Sequence, residues 1–192
     1  MAKFTKIPET TFDKLQLNAG VLLKNFNPTS ASVEDADIIG ATSGGVNFTA
    51  TPEFMDFGDG IDNCPKGMKE LKKLTNWNIT MGGTFITVDS AVAKMLIAAA
   101  DASGEKITPR NNIKDADFAD LWWVGDYSSE NGETKGGFIA IHMMNTLSTG
   151  GFTIQSSDNS KGSFAFTFTA HFSMDKQDVV PFEIYIKAGA EE

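Results

Sequence analysis

Cysteine occurs once, at Cys64, in a chain of 192 residues. That excludes an intrachain disulfide framework and a cysteine-based zinc cluster. His142 and His171 are the only histidines. They could pair across a sheet as metal ligands, but no third ligand accompanies them, so hydrogen-bonded structural roles are expected. Positive charge is also short: 16 Lys and Arg stand against 25 Asp and Glu, a net charge of −9. A surface of that sign disfavours adhesion to nucleic acid or anionic lipid. No apolar run approaches a membrane-spanning helix, and the N-terminus lacks the apolar core of a signal peptide. The chain is therefore expected to fold in a reducing cytoplasm, to carry no membrane anchor, and to leave a cell only by lysis or another non-secretory release.

What is present points to β structure. Hydrophobic residues make up 41% and charged residues 21%, enough apolar content for one domain over 1–192 with a sizeable core. Fifteen Phe, 18 Gly and many Thr suit half-buried strands separated by glycine turns.

Residues 1–36 read as an extended arm with one strand, in which Leu15, Leu17 and Val21 to Leu23 are apolar. Residues 38–51 read as the first long strand, with Val46, Phe48 and Ala50 on one side and Asn47, Thr49 and Thr51 on the other. Gly44-Gly45 suggests a bulge or bend. Residues 52–76 read as a long irregular loop of the kind that contacts a neighbouring subunit. Glu53, Asp56, Asp59 and Asp62 give −4 over its first part; Lys66, Lys69, Lys72 and Lys73 against Glu70 give +3 over its second. Residues 77–88 form a partner strand with Trp77, Ile79 and Met81 opposite Asn78 and Thr80, and Gly82-Gly83 suggests a second bulge.

Residues 90–101 carry the one convincing helical pattern, Val92, Met95, Leu96 and Ala99, capped by Asp89 or Ser90 and closed by Gly104. An acidic, loop-rich stretch over 102–136 contains Leu121-Trp122-Trp123-Val124-Gly125-Asp126-Tyr127. Adjacent tryptophans on a strand point to opposite faces, so one is core and the other meets a second layer or a second chain. Strands over 138–144, 163–173 and 182–187 complete the pattern. In the second of these, Phe164, Phe166, Phe168 and Phe172 alternate with Thr167, Thr169 and His171. One face is buried; the other is polar yet almost uncharged, unusual for a surface facing bulk water.

Motifs of known chemistry are missing. Asp56-Phe57-Gly58 lacks every companion of a kinase site. There is no phosphate-binding loop and no nucleophile elbow. A calcium loop starting at Asp59 would place Glu70 at its twelfth position, but Ile61 and Cys64 break the ligand pattern and the obligatory glycine. No catalytic residue, cofactor or metal is expected.

Several segments together resemble the major tail tube protein of long non-contractile-tailed (siphovirus-type) bacteriophages and related prophages. They are Ile107-Thr108-Pro109-Arg110, Asp117-Phe118 with the run DLWWVGDYS from Asp120 to Ser128, Leu147-Ser148-Thr149-Gly150-Gly151-Phe152, and Val180-Pro181-Phe182-Glu183-Ile184-Tyr185. The similarity extends from about Leu15 to Lys187; DLWWVGDYS and LSTGGF are its specific parts. It implies a mainly β (α+β) fold, an antiparallel β-sandwich or barrel with one flanking α-helix. It further implies a structural virion protein that forms homohexameric rings, stacked head to tail into a tube through which DNA passes without specific binding. The implied partners are further copies of the chain, DNA in the lumen, and other tail proteins such as the tape measure, terminator and distal tail protein. The implied location is the virion tail, after assembly in the host cytoplasm. The chain closes just after its last expected strand, so the immunoglobulin-like decoration of some relatives is not expected.

On that reading the lumen-facing candidates are Asn47, Thr49, Thr51, Asn78, Thr80, Thr167, Thr169 and His171. The subunit-interface candidates are Leu15, Leu17, Asp56, Asp59, Lys66, Lys69, Lys72, Lys73, Trp122, Trp123 and Asp126. The charge split of 52–73 is expected to meet opposite charge on the next ring. The rival reading is a carbohydrate-binding or adhesive β-sandwich module of a phage or bacterial surface, with Trp123 as a sugar platform. A hydrolase on a jelly roll is a more distant third.

Overall fold

The computed structural model describes residues 6–8, 11, 14–127 and 137–188. Ser128 of the DLWWVGDYS run, the end of the acidic stretch and most of the first 13 residues of the arm lie outside the described residues. Ten strands and one helix follow in the order β1 (Gln16–Leu23), β2 (Thr42–Asp56), β3 (Lys72–Phe85), α1 (Ser90–Ile97), β4 (Ala100–Ser103), β5 (Lys106–Pro109), β6 (Ala119–Tyr127), β7 (Gly137–Ser148), β8 (Thr153–Gln155), β9 (Ser163–Ala170) and β10 (Phe182–Lys187). All pairings are antiparallel.

Eight strands form one sheet in the order β1-β6-β7-β9-β3-β2, with β10 also on β7 and β8 also on β9. Strand β7 changes partners along its length. Phe138 to Met143 lie between β6 and β10, while Thr146 to Ser148 lie against β9. The register with β6 shifts between Ala119 and Leu121, so β7 carries an extra residue there. Asn145 takes it up at φ 49°, a conformation asparagine tolerates. The sheet thereby divides into two halves, β1-β6-β7-β10 and β2-β3-β9-β8, that face each other as a β-sandwich.

The core fills the space between them. Ile79, Met81 and Phe85 of β3 and Phe164, Phe166 and Phe168 of β9 meet Leu22, Leu121, Trp123, Ile141 and Met143 of the other half. Val46, Phe48 and Ala50 of β2 pack against that cluster, as the alternation of apolar and polar residues predicts. Phe182 of β10 bridges the halves, with its ring 5.8 Å from Phe48 and 5.6 Å from Trp77. The flanking helix closes one side through buried Val92 and Leu96, and its first turn is capped by Asp89, whose carboxylate accepts from the Val92 amide at 2.7 Å.

Three local expectations are corrected. The helix stops at Ile97, well short of residue 101. Ala98 has φ 68° and ψ −78°, and the Ala99 amide bonds the Ile97 carbonyl at 3.0 Å. That is a γ-turn of the strained kind. It turns the chain into β4, which pairs with β5 around Gly104. Ala98→Gly is therefore expected to raise stability by about 0.5–1 kcal/mol, because glycine adopts positive φ without a Cβ clash. Urea unfolding checks this; a loss of stability contradicts the strain. Second, Gly82-Gly83 is no bulge. The register shift lies on β2, between Thr42 and Val46, where Gly44 and Gly45 both have positive φ. Gly83 instead leaves room for Phe166, whose ring stands 2.7 Å from where a Cβ would be.

The third correction concerns 52–76, which is mostly strand. Strands β2 and β3 continue pairing out to Asp56 opposite Lys72, leaving only 57–71 as a tip. Pro52 is tolerated because β2 pairs with β3 alone, so no second ladder needs its missing N–H. On β3, only Thr80 to Phe85 pair with β9. The outer part of the hairpin thus extends past β9 as a two-stranded ribbon.

The clasp beneath β4 and β5 is ionic. Arg110, largely buried, pairs with Asp117 and lies 3.0 Å from Asp101, which also holds Lys114 at 3.3 Å. The hydrogen bond from Arg110, with a second from the Lys114 backbone amide, holds the Asp117 carboxyl below the usual carboxylate range.

Candidate functional site

The outward face of β2-β3-β9-β8 brings the polar phase of the long strands into one surface. Register places Thr49 opposite Thr80, and Thr80 opposite Thr169. Asn47, Gly82 and Thr167 form the row beside it, and Thr51 stands opposite Asn78. Thr149 extends the threonine row, its hydroxyl 2.8 Å from that of Thr169. Asn47, Thr49, Thr51 and Asn78 are exposed, while Thr80, Thr167 and Thr169 are half-buried among their neighbours. From Asn47 to Asn76 the side chains across this face are hydroxyl, amide or very small; past the register shift, Met55 and Lys73 continue it along the hairpin. The carboxylate of Glu53, at the hairpin end, accepts from Asn76. The sequence separates Thr49 from Thr169 by 120 positions; antiparallel pairing through Thr80 puts them in one row.

His171 follows the same phase but lies past the end of β9. Its Nδ1 is 3.2 Å from the Asn145 carbonyl, and its ring packs edge-on against Phe118. Asn145 in turn donates its backbone amide to Asp120, and Asp120 lies 3.0 Å from His142 Nε2. Both histidines therefore belong to one network at the point where β7 changes partners. His142 also stacks on Trp122 at 4.0 Å with an interplanar angle of 6°. Beside it, the Tyr185 hydroxyl donates to Glu183, which pushes the Tyr185 ionisation above its usual range.

The two tryptophans occupy opposite faces, as alternation requires, and each finds its cover within the chain. Trp122 belongs to a second, smaller cluster with Leu23, Phe26, Val124 and Ala140. Phe26, just after β1, lies over it with ring centres 5.6 Å apart. Trp123 belongs to the main core, and its Nε1 donates to the Ala19 carbonyl at 3.0 Å. It is 9% exposed, which removes it as an open platform for a sugar ring. Leu15 and Leu17 are half-buried, with Leu17 opposite Asp126, and Asp126 accepts from the Asn18 side chain at 2.6 Å.

Charges on the hairpin are partly answered within it. Asp56 stands opposite Lys72, Asp59 pairs with Lys66 at 3.3 Å, and Lys69 with Glu70 at 3.6 Å. Lys72 lies 4.7 Å from the centre of the Phe54 ring, and Lys73 is opposite Met55. The Asp56 carboxylate closes the tip: one oxygen accepts from the Gly58 amide at 2.9 Å, the other from the Gly67 amide at 3.0 Å. Asp56→Ala is expected to speed proteolytic nicking between 57 and 71 roughly tenfold, from loss of ~1.4 kcal/mol of charge-assisted hydrogen bonding. The melting temperature of the domain should stay nearly unchanged. Unaltered nicking contradicts the role of Asp56.

Sequence reasoning missed the apolar character of this hairpin. Phe54, Met55, Phe57, Ile61, Met68 and Leu74 are all exposed. The signal was the run Phe54-Met55-Asp56-Phe57, too apolar for a solvated loop. Among the described residues, no group of three or more His, Cys, Asp or Glu side chains is placed to hold a metal ion, and no helix is long and apolar enough to cross a membrane.

No protein-family model matches the chain, and no curated protein matches it in sequence. Among solved structures it is similar to a chain of the virion of a native gene transfer agent particle. Identity is 8%, the TM-score is 0.44, and the match covers 88% of this chain and 96% of that one. It is likewise similar to a chain from the tail of an empty particle of that kind, computed with C6 symmetry, at 8% identity and a TM-score of 0.43, with the same shares covered. Both likenesses are loose, and the functional reading rests on the faces of this chain.

Proposed function

We propose that the chain is a structural tube protein of a phage-type tail: six copies close into a ring, rings stack head to tail, and DNA passes through the lumen. One observation carries this reading. Between the hairpin and β8, the outward face of β2-β3-β9-β8 joins Thr and Asn side chains, with Gly82 between them, into a broad polar surface free of charge, directly behind an aromatic core. A monomer in bulk water usually places charge on such a face. A conduit needs polarity without cations, because a wall that neutralises no phosphates releases no counterions and does not hold DNA.

The size fits. Four strands from each of six copies, spaced ~4.8 Å apart, give a ring of ~115 Å circumference and ~37 Å diameter before tilt and side chains. A DNA duplex, with grooves ~8 Å deep on either side of its axis, passes through that opening. The resemblance of DLWWVGDYS and LSTGGF to tail tube sequences supports the same assignment. The tape measure, terminator and distal tail proteins then become the partners inside and at the ends of the tube, and the virion tail its location.

Negative-stain microscopy of the concentrated protein tests this. Rings or filaments with a stain-filled axial channel are expected. A protein that stays monomeric at every concentration and ionic strength overturns the proposal.

A further inference from the structure

The core is unfinished at one corner of the sandwich. Phe182 touches Phe48 and Trp77 where the two halves meet. Beyond it, both inner faces continue with apolar residues that stay about half exposed among the described residues, the Phe54 ring meeting only the Lys72 ammonium at 4.7 Å. On β10, Ile184 and Ile186 keep the phase of Phe182 and are 50% and 60% exposed. On the hairpin, Phe54 keeps the phase of Phe48 and Ala50, and it is opposite Leu74. These two are 53% and 42% exposed.

The hairpin is shaped to present that pair. The register shifts between Glu53 and Phe54, so Thr75 is an extra residue on β3. Without the shift, Phe54 would face Thr75, and Leu74 would point to the polar side. The bulge therefore gathers apolar side chains on a face left about half exposed among the described residues. A two-stranded ribbon is only marginally stable in water without such cover. Met55, opposite Lys73, turns to the other face; Phe54 and Leu74 with Phe57, Ile61 and Met68 of the tip, each about half open, present roughly 400 Å² of apolar surface. That matches the largest apolar patch of a typical monomer, which is often functional, and is about half of the ~800 Å² one partner contributes to a standard interface.

We propose that the occupant is a second copy of this chain. The hairpin of one copy lays Phe54 and Leu74 on Ile184 and Ile186 of the next, continuing the sandwich core across the boundary. The two surfaces differ, a two-stranded ribbon and an edge strand of the sandwich, so the contact is heterologous and propagates instead of closing into a two-fold dimer. Among the described residues strand β10 pairs with β7 alone, which leaves its other edge open to the incoming ribbon. The proposal rests on the self-assembly reading only in requiring identical copies; it does not depend on a lumen or on DNA.

Cross-linking between two separately purified variants tests it. Both carry Cys64→Ser; one adds Leu74→Cys, the other Ile184→Cys. Both new thiols sit at exposed positions, and circular dichroism checks that each variant folds. A short thiol-specific cross-linker is added to each protein alone and to an equal mixture, with microscopy in parallel. Dimers in the mixture at least tenfold above either protein alone are the expected result. Efficient cross-linking of the Leu74→Cys protein alone means hairpins meet each other, and it overturns the proposal, as does a mixture that never cross-links. Tubes without the cross-link retain the tube reading and remove this contact; the cross-link without tubes does the reverse.

Discussion

Gly20→Ala is expected to destabilise the fold by about 2–5 kcal/mol in urea unfolding, combining a left-handed backbone with overpacking of a full site. Gly20 has φ 69°, and a Cβ there would stand 2.6 Å from both Trp123 Nε1 and the Val124 carbonyl oxygen. Neither can withdraw. Trp123 is locked in the core and bonded to Ala19, and the Val124 carbonyl belongs to the neighbouring strand. Gly60→Ala is the control. Its φ is 83°, but nothing lies within 4 Å of the added carbon, so only the backbone cost of about 1–2 kcal/mol applies. Equal losses in the two variants contradict the packing of Trp123 against β1. The same ring explains Gly125, where a Cβ would stand 2.6 Å from the Trp123 side chain. The segment Trp123-Val124-Gly125 thus reads physically as a large indole with the space it needs two residues on.

The second large effect is functional. Thr49→Lys with Thr167→Lys is expected to leave folding and assembly intact and to slow DNA passage through the tube. Thr49 is exposed, Thr167 is half-buried, and both lie on the face away from the core. Two cations per copy place twelve around a six-fold lumen. Contacts with about six to ten phosphates change affinity by ~10³–10⁵ between low and moderate salt. Passage should therefore slow at least tenfold at low ionic strength and recover as salt is added. Unchanged ejection kinetics at every salt concentration, in tubes that microscopy shows to be intact, place these positions away from the path.

Much of the fold was legible because period-2 alternation has one physical reading when it carries aromatics. Phe164, Phe166 and Phe168 had to be buried, which put Thr167 and Thr169 on the opposite face. The same held for Val46, Phe48 and Ala50 against Asn47 and Thr49. What sequence could not supply was which polar residues share a row. That depends on pairing across β2, β3 and β9, and pairing depends on bulges at Gly44-Gly45 and Asn145. The helix was overextended because Ala99 and Ala100 are good helix formers, and only the turn at Ala98 takes them out of it. The hairpin was misread because Pro52, Gly58 and Pro65 suggest a loop, although an edge strand accepts proline and a clamp at Asp56 organises the tip. The tryptophan pair was read correctly as two-faced. Phe26, an isolated aromatic after β1, gave no periodic signal that it would cover Trp122.

A density map of the assembled protein by electron cryomicroscopy tests the central claim most directly. A six-fold ring should place β2-β3-β9-β8 on the inside, with Thr49, Thr80 and Thr169 in one row facing an open channel wide enough for duplex DNA. A ring with that face turned to the outside, or sealed against a neighbouring copy, contradicts the account.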